Sequence, residues 1–571
     1  LLFFFIRILG GSMKNKTVIL SKFLLFGFFL LHSIVLAYNN RPPRLTVVLV
    51  IDQCAYAYFN KLMPFFKHGL KYLAEHGVVY TNCHQDNGQP GTATGHANLN
   101  TGVAANYHGL VSNSWYQNGI KVECDEDKSL DALVIDPYNG DTYDYGKSAK
   151  HLMVDGLSDQ FVLHSQPGKK CFSYSISGKS RSAIATAGKL GKAVWFDNKR
   201  GMFTSSKAYF NELPEWLESF NHEHRVSMFG SVRWKLMYPR NPYAYNFFNI
   251  NNYQCTRMKK SMLDRELLVP DVTNSDNKYE LFEKTPHANQ LILDCARSCI
   301  KEHVSRKHRD SLLLWVCLSP LDKVAHQFGP NNIEAIDMMY HLDKQIQRFM
   351  RQTLRIIGKH EVLFTLTADH AVMPIPEILH EQGLTQARRI SRNELIDMIN
   401  KKISAKYSVD DMVMSYKGQE LILNPKAVES LKSEDYQDML YDVKLCLLQE
   451  VGIKSVWTYD ELISVPTQPH TLEDNIKKQL FKGRSGQVIL QTYPYTVITN
   501  WPEGASHKTP YNYDTHIPLI IFNAGKFERR YVRSRVSAIQ LPNTLAEILN
   551  IQKPSASVCE ILPELFDPEY Q

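Results

Sequence analysis

Short apolar runs with a carboxylate or an imidazole at or close to one end constrain this chain more than any other feature. Residues 45–51 read LTVVLVI, 311–319 SLLLWVCLS, 362–367 VLFTLT and 518–522 PLIIF. Runs this short and this rich in Val, Ile and Leu, without polar alternation, predict parallel strands buried on both faces. Helical patterns lie between them. Residues 65–76 end at Gly77, a suitable helix stop. Residues 331–357 carry Ile333, Ile336, Met339, Leu342, Ile346 and Met350 at helical spacing and end before Gly358. Strand–helix alternation predicts an α/β fold with a doubly wound, mostly parallel sheet flanked by helices. At 571 residues the chain exceeds one simple core. Residues about 200–300 and 375–505 fit the alternation poorly and read as inserted cap segments. The core is then expected at 44–200, 305–375 and 505–560.

Charged residues make up 22% and the net charge of +7 is spread along the chain. No Lys/Arg tract with interleaved aromatics exists, which disfavours nucleic acid as a partner. At the N-terminus, Met13, Lys14, Lys16 and Lys22 precede an apolar run over residues 23–36, followed by Ala37. That run is about 14 residues, short of the roughly 20 a spanning helix needs. It reads as an export signal, residues 1–37, cleaved after Ala37; an uncleaved anchor is the alternative. Residues 1–12 precede a plausible initiator and read as non-native. The mature chain is expected to be periplasmic or secreted, with no stable membrane span. Export permits disulfides among the ten cysteines. Cys317 lies inside an apolar run, and Cys295 and Cys299 share a helical face, so these read as core thiols.

Asp52 follows the first run, Asp322 and His326 the second, Asp369 and His370 the third. Open parallel sheets bind ligands at the carboxyl ends of their strands, so these five converge on one rim. His516 precedes the last run and joins them only if a loop returns over that rim. Asp322 and His326, four apart, share one face of a helical turn. Singly, each reads as a cap or a satisfied polar group. Together, three carboxylates and three imidazoles suit two divalent ions with mixed oxygen and nitrogen ligands, zinc first. The segment GQPGTATGHANLNTG, residues 88–102, reads as a turn and a capped helix, with Thr92 and Thr94 equivalent at this level.

VVLVIDQ, GTATGHANLNTG, HGLVSNSWY, GKSRSAI, LSPLDKVAHQFGP, LTADHA and PYNYDTHIPLI occur in this order. The ordered set resembles the alkaline phosphatase superfamily, most of all its phosphate-irrepressible alkaline phosphatase branch, a relative of the nucleotide pyrophosphatase/phosphodiesterases. The resemblance implies two zinc ions, one held by Asp322, His326 and His516 and the other by Asp52, Asp369 and His370. It implies Thr92, four residues before His96, as the nucleophile and a ligand toward the second ion, with Thr94 and His96 structural. It also implies Asn113, Lys179 and Arg181 as contacts to the substrate phosphate. Three aspartates and a Thr92 alkoxide balance two zinc ions, so Lys179 and Arg181 leave a positive surplus. That surplus suits a phosphate monoester dianion better than a diester monoanion. The expected function is an exported alkaline phosphatase that hydrolyses small phosphate monoesters through a phosphothreonine. A phosphodiesterase or nucleotide pyrophosphatase of the same superfamily is the alternative. A non-catalytic exported binding protein is the rival from another class.

Overall fold

A computed structural model describes residues 41–245, 261–271, 277–304 and 309–566. The export signal, residues 1–37, lies outside the described residues. Ten strands form the central sheet: β1 (Leu45–Ile51), β2 (Val78–His84), β3 (Cys171–Ser177), β4 (Lys192–Asp197), β5 (Met202–Thr204), β6 (Ser311–Leu318), β7 (Val362–Thr367), β8 (His516–Asn523), β9 (Arg530–Val532) and β10 (Val536–Ser537). Their order is β9-β2-β8-β7-β1-β6-β3-β4-β5, with β10 also on β2. β7, β1, β6, β3 and β4 are parallel neighbours. Every residue of β1, β6 and β7 is buried, so both faces are covered, which is the doubly wound α/β arrangement.

The helices that flank this sheet or border its rim include α1 (Gly69–His76), α2 (Thr92–Thr101), α3 (Ser180–Ala187), α4 (Pro286–His303), α5 (Pro320–Phe328) and α6 (Ile333–Ile357). The side chain of Asn332 caps α6 by accepting from the Glu334 amide. The α6 stripe Ile336, Met339, Leu342, Ile346 and Met350 is buried. Asp343 of α6 accepts from the backbone amides of Lys67, His68 and Leu70. Those bonds satisfy amides around the start of α1, where the His68 side chain supplies no cap.

Two expectations are corrected. Residues 518–522 do not form a parallel strand. They lie in β8, which runs antiparallel to both β7 and β2. A strand buried on both faces looks the same in sequence whichever way it points. The described residues of the segment near 200–300 also pack into the main core and do not stand apart as a cap. Phe203, Leu217, Phe220, Trp234 and Phe282 are buried in the same apolar cluster as β1, β6 and β7. Its aromatic, irregular composition serves a buried carboxylate on α6. Asp337 accepts from Trp234 Nε1 at 2.7 Å, the Met237 amide at 2.8 Å and the Tyr245 hydroxyl at 2.6 Å.

The 375–505 segment has a core of its own. Its four-stranded antiparallel sheet pairs Val413–Lys417, Glu420–Leu423, Val488–Thr492 and Ile453–Thr458 in that order. Leu395, Ile399, Val443, Leu447, Val488 and Leu490 pack together there. The nine cysteines among the described residues are free thiols, with Cys295, Cys299 and Cys317 fully buried.

Candidate active site

Each parallel strand at the centre of the sheet delivers one carboxylate to the same rim. Asp52 follows β1, Asp322 sits in the first turn of α5 after β6, and Asp369 follows β7. All three are buried. Gln53 stitches them together: its amide donates to Asp369 Oδ1 at 3.1 Å and its Nε2 to Asp322 Oδ1 at 2.9 Å. Gln53 has φ 66°, a left-handed conformation that a non-glycine residue holds only where its surroundings fix it.

Three imidazoles close on these carboxylates. His326 Nε2 lies 3.2 Å from Asp322 Oδ1, one helical turn away. His370 Nε2 lies 3.5 Å from Asp52 Oδ1 and 3.4 Å from Asp369 Oδ2. The third is His507, whose ring stacks on His370 at 3.8 Å and lies 5.1 Å from that of His326. The potential donor atoms of Asp322, His370 and His507, and those of Asp52, Asp369 and His370, form two groups each within 4.8 Å.

The rings are aimed alike. His326 Nδ1 meets the Ala505 carbonyl at 2.9 Å, His370 Nδ1 the Ala371 carbonyl at 2.9 Å, and His507 Nδ1 the Pro90 carbonyl at 2.7 Å. A backbone carbonyl on Nδ1 requires the proton there and leaves the Nε2 lone pair toward the carboxylates, the arrangement typical of metal-binding histidines. His370 Nε2, Asp52 Oδ1 and Asp369 Oδ2 are buried and make no hydrogen bond. Convergent, orphaned nitrogen and carboxylate donors of this kind fit divalent ions with mixed ligands.

His516 does not join this group. Its Nε2 faces the Thr81 carbonyl at 2.9 Å, and its ring lies between Tyr56 and His84 at 4.8 and 4.7 Å. Because β8 is antiparallel, its first residue does reach the rim, but β2 takes the ring nitrogen. His507 holds the place expected for it. His507 sits in the irregular stretch GASHKTP, with no strand beside it, so a search of strand ends passes over it.

Lys179 Nζ lies 2.7 Å from Asp52 Oδ2 and 2.5 Å from Asp322 Oδ2. Burial, then the charges of Asp322 and Asp369, push the Asp52 carboxyl well above its usual range. Burial also works on Asp322, but Lys179 and then His326 hold it well below. Burial lowers His370 and His507, keeping both imidazoles neutral and fit to donate a lone pair.

The small residues before α2 let it approach this cluster. Gly91 is the extended N-cap, and Thr92 opens the helix. A Cβ on Gly95 would sit 2.0 Å from the Asp369 carbonyl oxygen, so only glycine lets helix and loop touch. Thr94 Oγ1 donates to the Leu110 carbonyl at 2.9 Å. His96 Nδ1 meets the Thr92 carbonyl at 2.8 Å and lies 3.3 Å from Asp369 Oδ2. Both side chains are thus engaged internally, which separates Thr94 from Thr92. Asn113 Oδ1 accepts from the Ala93 amide at 3.0 Å, fixing it over the start of α2. Arg181 lies in the first turn of α3, and its Nε is buried with no acceptor. A cleft of about 790 Å³ opens here, lined by Asn113, His326, His507 and Lys508 and, from the 375–505 segment, by Lys417 and Gln419.

The type I phosphodiesterase / nucleotide pyrophosphatase family model matches residues 46–516. A protein of Myroides odoratus named calcium-transporting ATPase is 28% identical over 95% of this chain and 98% of its own length. Alkaline phosphatase PhoV of Synechococcus elongatus is 27% identical over 92% of this chain and 93% of its own. The crystal structure of wild-type alkaline phosphatase PafA shares the fold, with a TM-score of 0.79 at 24% identity over 92% of this chain and 99% of that one. The chain belongs to the type I phosphodiesterase / nucleotide pyrophosphatase family, within the alkaline phosphatase superfamily, and is a phosphoesterase.

Proposed function

We propose that this chain is an exported, two-zinc phosphatase that hydrolyses small phosphate monoesters through a phosphothreonine on Thr92. The observation that carries the reading is the set of three Nε2 atoms and three carboxylates facing one another at the first turn of α2. Asp52, Asp369 and His370 form one ligand set, toward which Thr92 also contributes. Asp322, His326 and His507 form the other. Bound there, zinc supplies Lewis acidity to phosphoryl oxygens and favours the alkoxide of a nearby hydroxyl.

Thr92 Oγ1 attacks phosphorus in line, the ester P–O bond breaks, and the leaving oxygen departs with the electron pair. Water then attacks the phosphothreonine, the Thr92 Oγ1–P bond breaks, and inorganic phosphate leaves. The start of α2, apart from the Ala93 amide that Asn113 occupies, suits the anionic oxygens during both steps. Asn113, held against that helix start, and Arg181, with an uncommitted Nε, present donors to the non-bridging oxygens. Lys179 adds a fixed positive charge beside them, which favours a dianionic monoester over a diester. The N-terminal signal supports export, and among the described residues no helix is long and apolar enough to cross a membrane.

The zinc-loaded enzyme is expected to show a higher kcat/KM for p-nitrophenyl phosphate than for bis-p-nitrophenyl phosphate. A preference for the diester would replace this reading with a phosphodiesterase. Thr92→Ala is expected to lower turnover by about 10³-fold or more with zinc still bound. Retention of most turnover by that variant, with its zinc content intact, would sink the nucleophile assignment.

A further inference from the structure

The residue after His507 is unlike its surroundings. Lys508 has φ 95°, a backbone conformation in which glycine is at ease and a side chain is strained. The loop is fixed in that state from three successive residues. His507 is tied to the Pro90 carbonyl. The Lys508 carbonyl accepts from Gln419 Nε2 at 3.1 Å. The Thr509 amide and hydroxyl both donate to Asp514 Oδ2, at 2.9 and 2.6 Å. Strain held in place by its neighbours, at the edge of an active site, points to a use for the side chain.

That side chain lines the cleft and has no acidic partner within ion-pair distance among the described residues. Its electrostatic neighbours include Lys417 and Arg181, with Glu420 the opposing charge, and Lys417 in turn feels Arg392. Lys417 donates to the Ser114 hydroxyl, beside Asn113, and among the described residues pairs with no carboxylate. Arg392 lines the same cleft and has no acidic partner within ion-pair distance among the described residues. The other cations there are neutralised: Lys323 by Glu283, Lys284 by Glu280, and Arg389 by Glu377. Among the described residues that line the cleft, the carboxylates of Glu503 and Asp514 each keep one oxygen without a hydrogen bond. The cleft therefore holds three cations without an ion-pair partner among the described residues, Lys417 and Arg392 from the 375–505 segment and Lys508 just beyond it, besides the Lys179 and Arg181 that serve the reacting phosphate.

We propose that Lys508, with Lys417 and Arg392, forms a second anion subsite, so that the favoured substrates are phosphate monoesters carrying a further anionic group on the leaving group. The inference rests on the monoester reading above. A carboxylate or second phosphate on the leaving group meets the ammonium of Lys508 while the ester phosphate lies at Thr92. Charge-assisted hydrogen bonds to such a group are the stronger kind, and none of the three cations has an acidic partner within ion-pair distance among the described residues.

The test compares glycerol 1-phosphate with 3-phosphoglycerate on the zinc-loaded enzyme. The two differ by a neutral hydroxymethyl against a carboxylate at the far end. The expected kcat/KM is about tenfold higher for 3-phosphoglycerate, carried by KM. Lys508→Gly accepts the same φ without strain, and in it the ratio should fall toward one. Arg392→Ala should lower the ratio less. Equal kcat/KM in the parent enzyme would overturn the subsite alone. So would an equal loss on both substrates in Lys508→Gly, which would make Lys508 a contact of the reacting phosphate. No turnover of glycerol 1-phosphate would overturn the monoester reading itself and the subsite with it.

Discussion

An imidazole serves a cation only through a ring nitrogen that nothing else holds, and this criterion separates two histidines nine positions apart. His507 gives Nδ1 to the Pro90 carbonyl and keeps Nε2 for the cluster. His516 meets the Thr81 carbonyl through Nε2 and stacks between two rings. His507→Ala is therefore expected to lower bound zinc by about one ion per chain, with His516→Ala keeping its full complement, by elemental analysis of each purified variant. Loss of zinc from His516→Ala but not from His507→Ala would reverse the assignment. Five of the six proposed ligands stand out in the sequence because a strand end is a fixed place on a parallel sheet, and Asp52, Asp322, His326, Asp369 and His370 each follow one. His507 does not, because its position is set by tertiary hydrogen bonds to Pro90 and by stacking on His370, which leave no period in the sequence. Thr92 and Thr94 are equivalent as letters; the Leu110 carbonyl is what distinguishes them.

At the scale of elements, the loop that leads into α2 is gripped by the 375–505 segment. Gln89 Nε2 donates to Glu420 Oε1 at 2.7 Å, and the Gly486 amide donates to Glu420 Oε2 at 2.7 Å. Gly418 is in the left-handed region at φ 65°, and a Cβ there would overlap the Gln89 side chain. Burial pushes the Glu420 carboxyl from 4.5 up to about 7, against the hydrogen bonds it accepts. The folded chain thus keeps a proton that the unfolded chain has released. Stability from this group is greatest below about pH 4.5 and falls as pH rises to about 7, by roughly 3 kcal/mol in all. Glu420→Gln is expected to flatten that part of the profile, so the melting temperatures of parent and variant should diverge as pH rises from 5 to 8, the variant being the more stable at the upper end. A constant difference across this range would remove Glu420 from the pH response. β1, β6, β7 and the α6 stripe were legible from apolar runs and period. The direction of β8 and the grip on Gln89 were not, since one depends on chain reversal and the other on residues about 330 positions apart.

Across the whole molecule, the site draws on two kinds of support. The carboxylates come from β1, β6 and β7, inside the main apolar core. The groups above them come from loops that the 375–505 segment holds. Gln419 reaches the Lys508 carbonyl, Gln479 the Val111 carbonyl, and Arg484 the carbonyls of Gly109 and His151. Removing bound metal should therefore disturb these parts unequally. Without divalent ions, Asp52 and Asp322 share one lysine, Lys179, Asp369 meets His96 and His370, and the repulsion among the three carboxylates falls on the ends of the central strands. A metal that binds only the folded chain contributes about 4 kcal/mol when its free concentration is a thousandfold above Kd. Chelation is expected to abolish turnover and lower the melting temperature. Hydrogen exchange should quicken at the carboxyl ends of β1 and β7 and in the first turns of α2 and α5. The antiparallel sheet of the 375–505 segment packs around its own core and should keep its protection. Equal loss of protection in that sheet would mean that the two cores unfold as one unit, and that the metal centre supports the segment as well as the strands that carry its ligands.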